Sequence, residues 1–147
     1  MRYRLLCIGR KANDPLLAAA EDYASRLSRF VPTEVVRLRE GSATSERDEL
    51  LRRLTSDDFV FALDEHGTEL DTVSLANRLG GLAGRGVRAV AFVIGGADGL
   101  HADVKSRAKE ILSLSRLTLP HRLAQVVLLE QLYRAHSLLR GEPYHRA

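Results

Sequence analysis

Toward its carboxyl end this chain gathers three stretches whose residue types could do chemistry. Val93 to Leu100 reads VIGGADGL, a turn after an apolar run, in which Gly95, Gly96 and Gly99 can take positive φ and let bare backbone approach a ligand. Leu114 to His121 reads LSRLTLPH, where Leu114, Leu117 and Leu119 are spaced by Ser115, Arg116 and Thr118. Such a loop offers apolar side chains to the faces of a purine and backbone groups to its edge. Arg140 to Ala147 reads RGEPYHRA, and its Tyr144, His145 and Arg146 could touch a polar or anionic substrate. Each stretch also has a plain reading: a strand-to-helix turn, a short buried strand, and an ordinary frayed tail.

Other constellations are missing. The glycine spacing is not that of dinucleotide folds, and no acidic strand end follows at the distance a ribose would need. There is no Walker loop, serine elbow or paired-carboxylate motif. His66, His101, His121, His136 and His145 show no metal-ligand spacing, so no metal is expected. His136 reads as a core or interface residue, and Cys7 as a buried structural thiol.

The elements that must position these stretches alternate strand and helix, which predicts an α/β domain with a mainly parallel sheet flanked by helices. Arg2 to Ile8 reads as a strand ending at Gly9. Asp14 caps a helix that opens on Pro15 and repeats apolar residues at Leu16, Ala20, Tyr23, Ala24, Leu27 and Phe30. Thr33 to Leu38 is a second strand, Gly41 to Ser45 a polar loop, and Glu46 to Leu54 a short helix. Phe59 to Leu63 is a third strand, broken by the turn-like Asp64-Glu65-His66-Gly67. A helix around Leu75 to Ala83 is weakened by Gly80 and Gly81. Val87 to Ile94 reads as a central strand covered on both faces. A helix from Ala102 to Lys109 and a brief strand at Ile111 to Leu114 precede a long helix, Arg122 to Leu139. Its apolar residues, from Leu123 through Leu139, exceed one stripe, so a second partner surface is expected, most simply another copy of the chain.

At 147 residues the chain has the size of one domain, 1–147, with composition close to globular averages. No stretch approaches the length of a membrane span, and the amino terminus, interrupted by Arg2 and Arg4, is unlike a secretory signal. One cysteine fits a reducing cytoplasm. A net charge of +3 is a mild lean toward polyanions. Apart from Lys11, Lys105 and Lys109 the basic residues are arginines, whose forked guanidinium suits phosphate, although codon usage would give the same bias.

Taken in order, LDEHG, FVIGGADGLHADV, LSRLTLPH and VVLLEQLYRAHSLLRGEPYHR resemble the SPOUT-class ribosomal RNA large-subunit methyltransferase H family. The likeness covers essentially the whole chain and is strongest after Val93. It implies a homodimeric α/β fold with a deep C-terminal trefoil knot, which general priors on chain topology would not suggest. It implies S-adenosylmethionine as methyl donor and, as substrate, N3 of a pseudouridine in the large-subunit ribosomal RNA of the assembled ribosome. By the same likeness Leu63, Gly95 and the loop Leu114, Ser115, Arg116, Leu117, Thr118 and Leu119 would hold the donor, with Gly96 and Gly99 shaping the turn. Tyr144, His145 and Arg146 would face the target nucleotide, from either subunit. Where many members of the family carry a basic residue in the helix after Pro-His, this chain has Gln125, with Arg122 nearby.

The residue types suit that reaction. Methyl transfer from a sulfonium is an in-line displacement governed by positioning. His145 is a candidate acceptor for the N3 proton, and Arg146 could hold a phosphate or the developing charge of the imide. Two other readings stand beside it: a catalytically silent ribosome- or RNA-binding module of the same fold, and a nucleotide-binding oxidoreductase using the Gly-rich turn. If backbone approach matters at Gly96, Gly96→Val blocks the cofactor.

Overall fold

The computed structural model describes residues 1–10 and 12–146; Lys11, and Ala147 of the terminal stretch, lie outside the described residues. Its five strands are β1 (Arg2–Ile8), β2 (Thr33–Leu38), β3 (Asp58–Glu69), β4 (Ala89–Ile94) and β5 (Glu110–Ser113). All pair in parallel, in the order β2-β1-β4-β3-β5. Every residue of β4 is buried, as its unbroken apolar run requires of a strand covered on both faces.

The helices are α1 (Pro15–Leu27), α2 (Ala43–Arg53), α3 (Thr72–Gly84), α4 (Ala102–Arg107) and α5 (His121–Leu139). They divide the core into two layers. One face of the sheet, through Tyr3, Leu5, Phe61, Val90 and Phe92, packs on α1, α3 and α5. The other, through Leu6, Ile8, Val60, Ala91 and Val93, packs on Leu50 of α2 and Val104 of α4.

Local chemistry sets the helix starts. Asp14 accepts from the Leu16 N–H at 2.7 Å, with Pro15 in the first turn, as the sequence predicts. The buried stripe of α1 is Leu17, Ala20, Ala24 and Leu27, while Leu16, expected inside, is 37% exposed. The second helix opens before the expected Glu46: Ser42 caps it by accepting from the Ser45 N–H at 3.1 Å, so Ala43 to Ser45, expected in the polar loop, form its first turn.

The third strand departs most from expectation. Asp64 to Gly67 does not end it; β3 continues to Glu69 and shifts register against β5 between Leu63 and Thr68. A bulge adds residues without ending the ladder, and its polar sequence looks like a turn. Gly67 is needed there, because a Cβ would lie 2.7 Å from the Ile111 carbonyl oxygen. In α3, Gly80 and Gly81 sit inside the helix; a Cβ on Gly80 would meet the Leu139 side chain at 3.2 Å, which is where the end of α5 crosses α3. β4 begins two residues after the expected Val87, α4 ends at Arg107, and β5 begins at Glu110.

Candidate functional site

In an open parallel sheet, ligands bind outside the carboxyl ends of the strands, where the strand order reverses. Here the reversal falls between β1 and β4. A pocket of about 750 Å³ opens at that end, walled by the end of β3, the turn after β4 and the segment from β5 to α5. That volume suits a nucleotide-sized ligand. Leu63, Gly95, Gly96, Gly99, Leu114, Ser115, Leu117, Thr118 and Leu119 all line it. Arg116 does not: its side chain is 85% exposed and leans toward Glu69 at 3.6 Å.

The turn is held by its own backbone. The Gly99 N–H donates to the Gly96 carbonyl at 3.0 Å, and Gly99 takes φ +77°. A Cβ on Gly95 would lie 2.6 Å from the Gly99 carbonyl carbon and oxygen. The tight approach is therefore at Gly95. A Cβ on Gly96 would face Ile8 at 3.2 Å and Glu46 at 3.5 Å, so crowding there comes from side chains.

The opposite wall is tied to β3. The Thr118 hydroxyl donates to Glu65 Oε2 at 2.5 Å, and the Ser113 hydroxyl donates to the Glu65 carbonyl at 3.1 Å. The Leu117 N–H donates to the Ser115 hydroxyl at 2.9 Å, which curls the loop. Leu117 is left 76% exposed at the rim, an apolar side chain without a protein partner to cover it.

The sequence reading missed part of the lining. Asp64 and Lys105 form an ion pair on the pocket wall. Burial opposes ionisation of Asp64, but hydrogen bonds from Lys105 and the His66 N–H outweigh it and hold the carboxyl below its ordinary range. Asp64 lies in LDEHG, which reads as a turn, and nothing in the sequence links it to Lys105. His121, the first residue of α5, also lines the pocket; its Nε2 is buried without a hydrogen-bond partner and would lie 3.5 Å from a Cβ on Gly9.

Gln125, one turn further along α5, is 1% exposed and accepts from Arg37 Nη1 of β2 at 2.5 Å. A guanidinium thus reaches this level of the helix from a different element. Arg37 also lies beside Cys7, 3.8 Å from Sγ; burial nonetheless pushes that thiol up to about 11.

The terminal residues are elsewhere. Tyr144 packs edge-on against Tyr133, ring centroids 4.7 Å apart, with the Arg134 guanidinium 4.6 Å above its ring. His145 Nδ1 lies 3.4 Å from Arg134 Nη1, and Arg146 is exposed. None of the three lines the pocket, which opens at the other end of α5. The 19 residues of that helix span about 28 Å.

A parallel α/β sheet whose glycine turn and leucine loop close over its switch point defines an α/β protein with a site for one nucleotide-like ligand. The chain's relatives narrow that class. The family described as predicted SPOUT methyltransferase matches residues 1–145. A ribosomal RNA large subunit methyltransferase H from Anaeromyxobacter sp. (strain Fw109-5) is 47% identical over 154 aligned residues, covering 99% of this chain and all of the relative. Among solved structures, a probable methyltransferase from Bordetella pertussis Tohama I superposes with a TM-score of 0.57 at 14% identity, over 92% of this chain and 96% of that one. A Legionella pneumophila protein solved with bound SAM superposes at 0.51 and 10% identity, over 92% of this chain and 66% of that one. The chain belongs to the SPOUT methyltransferase family.

Proposed function

We propose that this protein acts as a homodimer that transfers a methyl group from S-adenosylmethionine to N3 of a pseudouridine in large-subunit ribosomal RNA, within the assembled ribosome. The observation that carries the reading is the convergence, on one pocket, of Leu63, the Gly95 turn and the Leu114–Leu119 loop from three separate parts of the chain. The curated relative named above supports the RNA class.

The lining fits the donor. Leu114, Leu117 and Leu119 offer apolar faces to an adenine, and backbone groups of the two loops offer hydrogen bonds to its edge. Asp64 and Lys105 offer opposite charges to the ammonium and carboxylate of the methionine portion. When bound, the donor supplies an electrophilic methyl on a sulfonium, which leaves as a neutral thioether. The chain's residues then have two tasks: to hold both partners in line, and to take the N3 proton as nitrogen bonds to carbon. His145 accepts that proton, and Arg146 steadies the imide oxygens or a neighbouring phosphate. Tyr144 faces the target nucleotide beside them.

The tail lies about a helix length from the pocket of its own chain, which supports its serving the pocket of a partner. In this reading the partner's tail reaches across. Leu123, Val126 and Val127 of α5 are only half-buried and Leu139 is 45% exposed, which supports a second copy on this helix. A deep C-terminal trefoil knot belongs to the same proposal; α5 follows the edge strand β5 and packs back on α1 and β4. A buried lone thiol suits a cytoplasmic setting.

The test uses ribosomes from a strain lacking the gene. Mass spectrometry of their RNA should show one unmethylated pseudouridine, which the purified protein methylates only with the donor present. Ribosomes unchanged after incubation with protein and donor sink the proposal.

A further inference from the structure

A second cleft, of about 470 Å³, opens beside the donor pocket at the carboxyl ends of β1 and β2, lined by Arg10, Ala12, Arg39, Glu40 and Arg122. Gly9 and His121 form the partition: His121 lines the donor pocket, and its Nε2 comes within 3.5 Å of a Cβ position on the residue preceding Arg10. Three arginines line the cleft, with Glu40 beside them and Asp14 paired to Arg122. Asp14 binds Arg122 at 2.7 Å, and Glu40 lies at the Gly9 side. Arg10 and Arg39 are exposed and form no salt bridge among the described residues. Among the described residues the excess is one positive charge, in a concave site one side chain away from the donor pocket.

We infer that this cleft binds a backbone phosphodiester of the RNA strand beside the target nucleotide, with Arg10 and Arg39 as its ligands; the inference rests on the RNA-methyltransferase reading above. A planar fork matches phosphate oxygens two at a time, and a phosphate cancels the surplus charge. A second copy of the chain covering this cleft would have to bring carboxylates or strand two unpaired guanidinia away from water. Asp14 keeps Arg122 fixed as the cleft's wall. A phosphate contact here would set the register of the strand, since phosphate contacts position a nucleic acid and carry no sequence information.

The test compares the full-length wild type, Arg10→Ala/Arg39→Ala, and Arg85→Ala, an exposed arginine at the opposite ends of the strands. The probe is purified ribosomes from a strain lacking the gene. Binding is measured over a salt series, alongside steady-state methylation, calorimetry with S-adenosylmethionine, and sedimentation. The double variant should bind ribosomes roughly five- to tenfold more weakly, with the slope of log affinity against log salt reduced by about 1. Its KM for ribosomes should rise with kcat and donor affinity unchanged, while Arg85→Ala keeps the wild-type slope. An unchanged slope and KM overturn the inference, and so does a shift in sedimentation with an unchanged slope, which makes the cleft an interface between copies. If the wild type binds ribosomes with an Arg10/Arg39-dependent slope but transfers no methyl, the phosphate site stands and the methyltransferase reading falls.

Discussion

A methyl group added to Gly95 would sit 2.6 Å from the backbone of Gly99, where no side chain can move aside. Gly95→Ala should therefore spread the turn and weaken donor binding at least tenfold by calorimetry, about 1.4 kcal/mol. Gly96→Ala meets only Ile8 and Glu46 side chains and should cost under threefold. Equal losses at the two positions would refute this account of the turn. At the other end of α5, buried His136 is bonded to the Tyr3 hydroxyl at 2.6 Å, and burial, aided by Arg140, lowers its pKa from 6.5 to about 4. Between those values the unfolded chain binds a proton that the folded chain refuses. Stability present above pH 6.5 is thus lost as pH falls toward 4, by up to about 3 kcal/mol. Chemical denaturation across that range should show the loss, and His136→Asn, which can still bond Tyr3, should flatten it. An equally steep decline in the variant would point to other groups.

Helix α3 offers a matched pair. A Cβ on Gly81 meets nothing within 4 Å, so Gly81→Ala should stabilise the protein by about 0.5–1 kcal/mol in urea unfolding. Gly80→Ala must push Leu139 aside and should gain less or lose. The opposite ranking would mean that α5 does not rest on α3 as described. Elements whose signals are local were legible in the sequence: the Asp14-Pro15 helix start, the strand ending at Gly9, and the apolar run of β4. Two were obscured by tertiary context. Ser42 caps α2 from within a stretch whose composition is that of a loop. β3 runs on through Asp-Glu-His-Gly because β5 pairs beyond the bulge, and a partner strand distant in sequence leaves no periodicity to read.

At the scale of the molecule, the residues expected at a donor site meet in one pocket, apart from Arg116, while Asp64, Lys105 and His121 joined it unannounced. The family resemblance pointed to the first group; a charged pair formed across β3 and α4 has no sequence spacing that marks it. The tail's distance from the pocket makes a further prediction. Co-expressing Gly95→Ala with His145→Ala should restore methylation in mixed dimers, to about a quarter of wild-type sites, because a statistical half of the dimers carry one intact pocket faced by one intact tail. No recovery, with both variants folded and dimeric, would mean that each tail serves its own chain. The Thr118–Glu65 link has a last consequence. The loop it fastens is both a wall of the pocket and the chain's covalent path from β5 into α5. A ligand gripping that loop and the Gly95 turn together is a clasp on the fold itself. At a hundredfold excess over its Kd it would add about 2.7 kcal/mol to stability. The same protein would then be markedly easier to proteolyse when its ligand is scarce, so its lifetime in a cell would track the supply of the molecule it consumes.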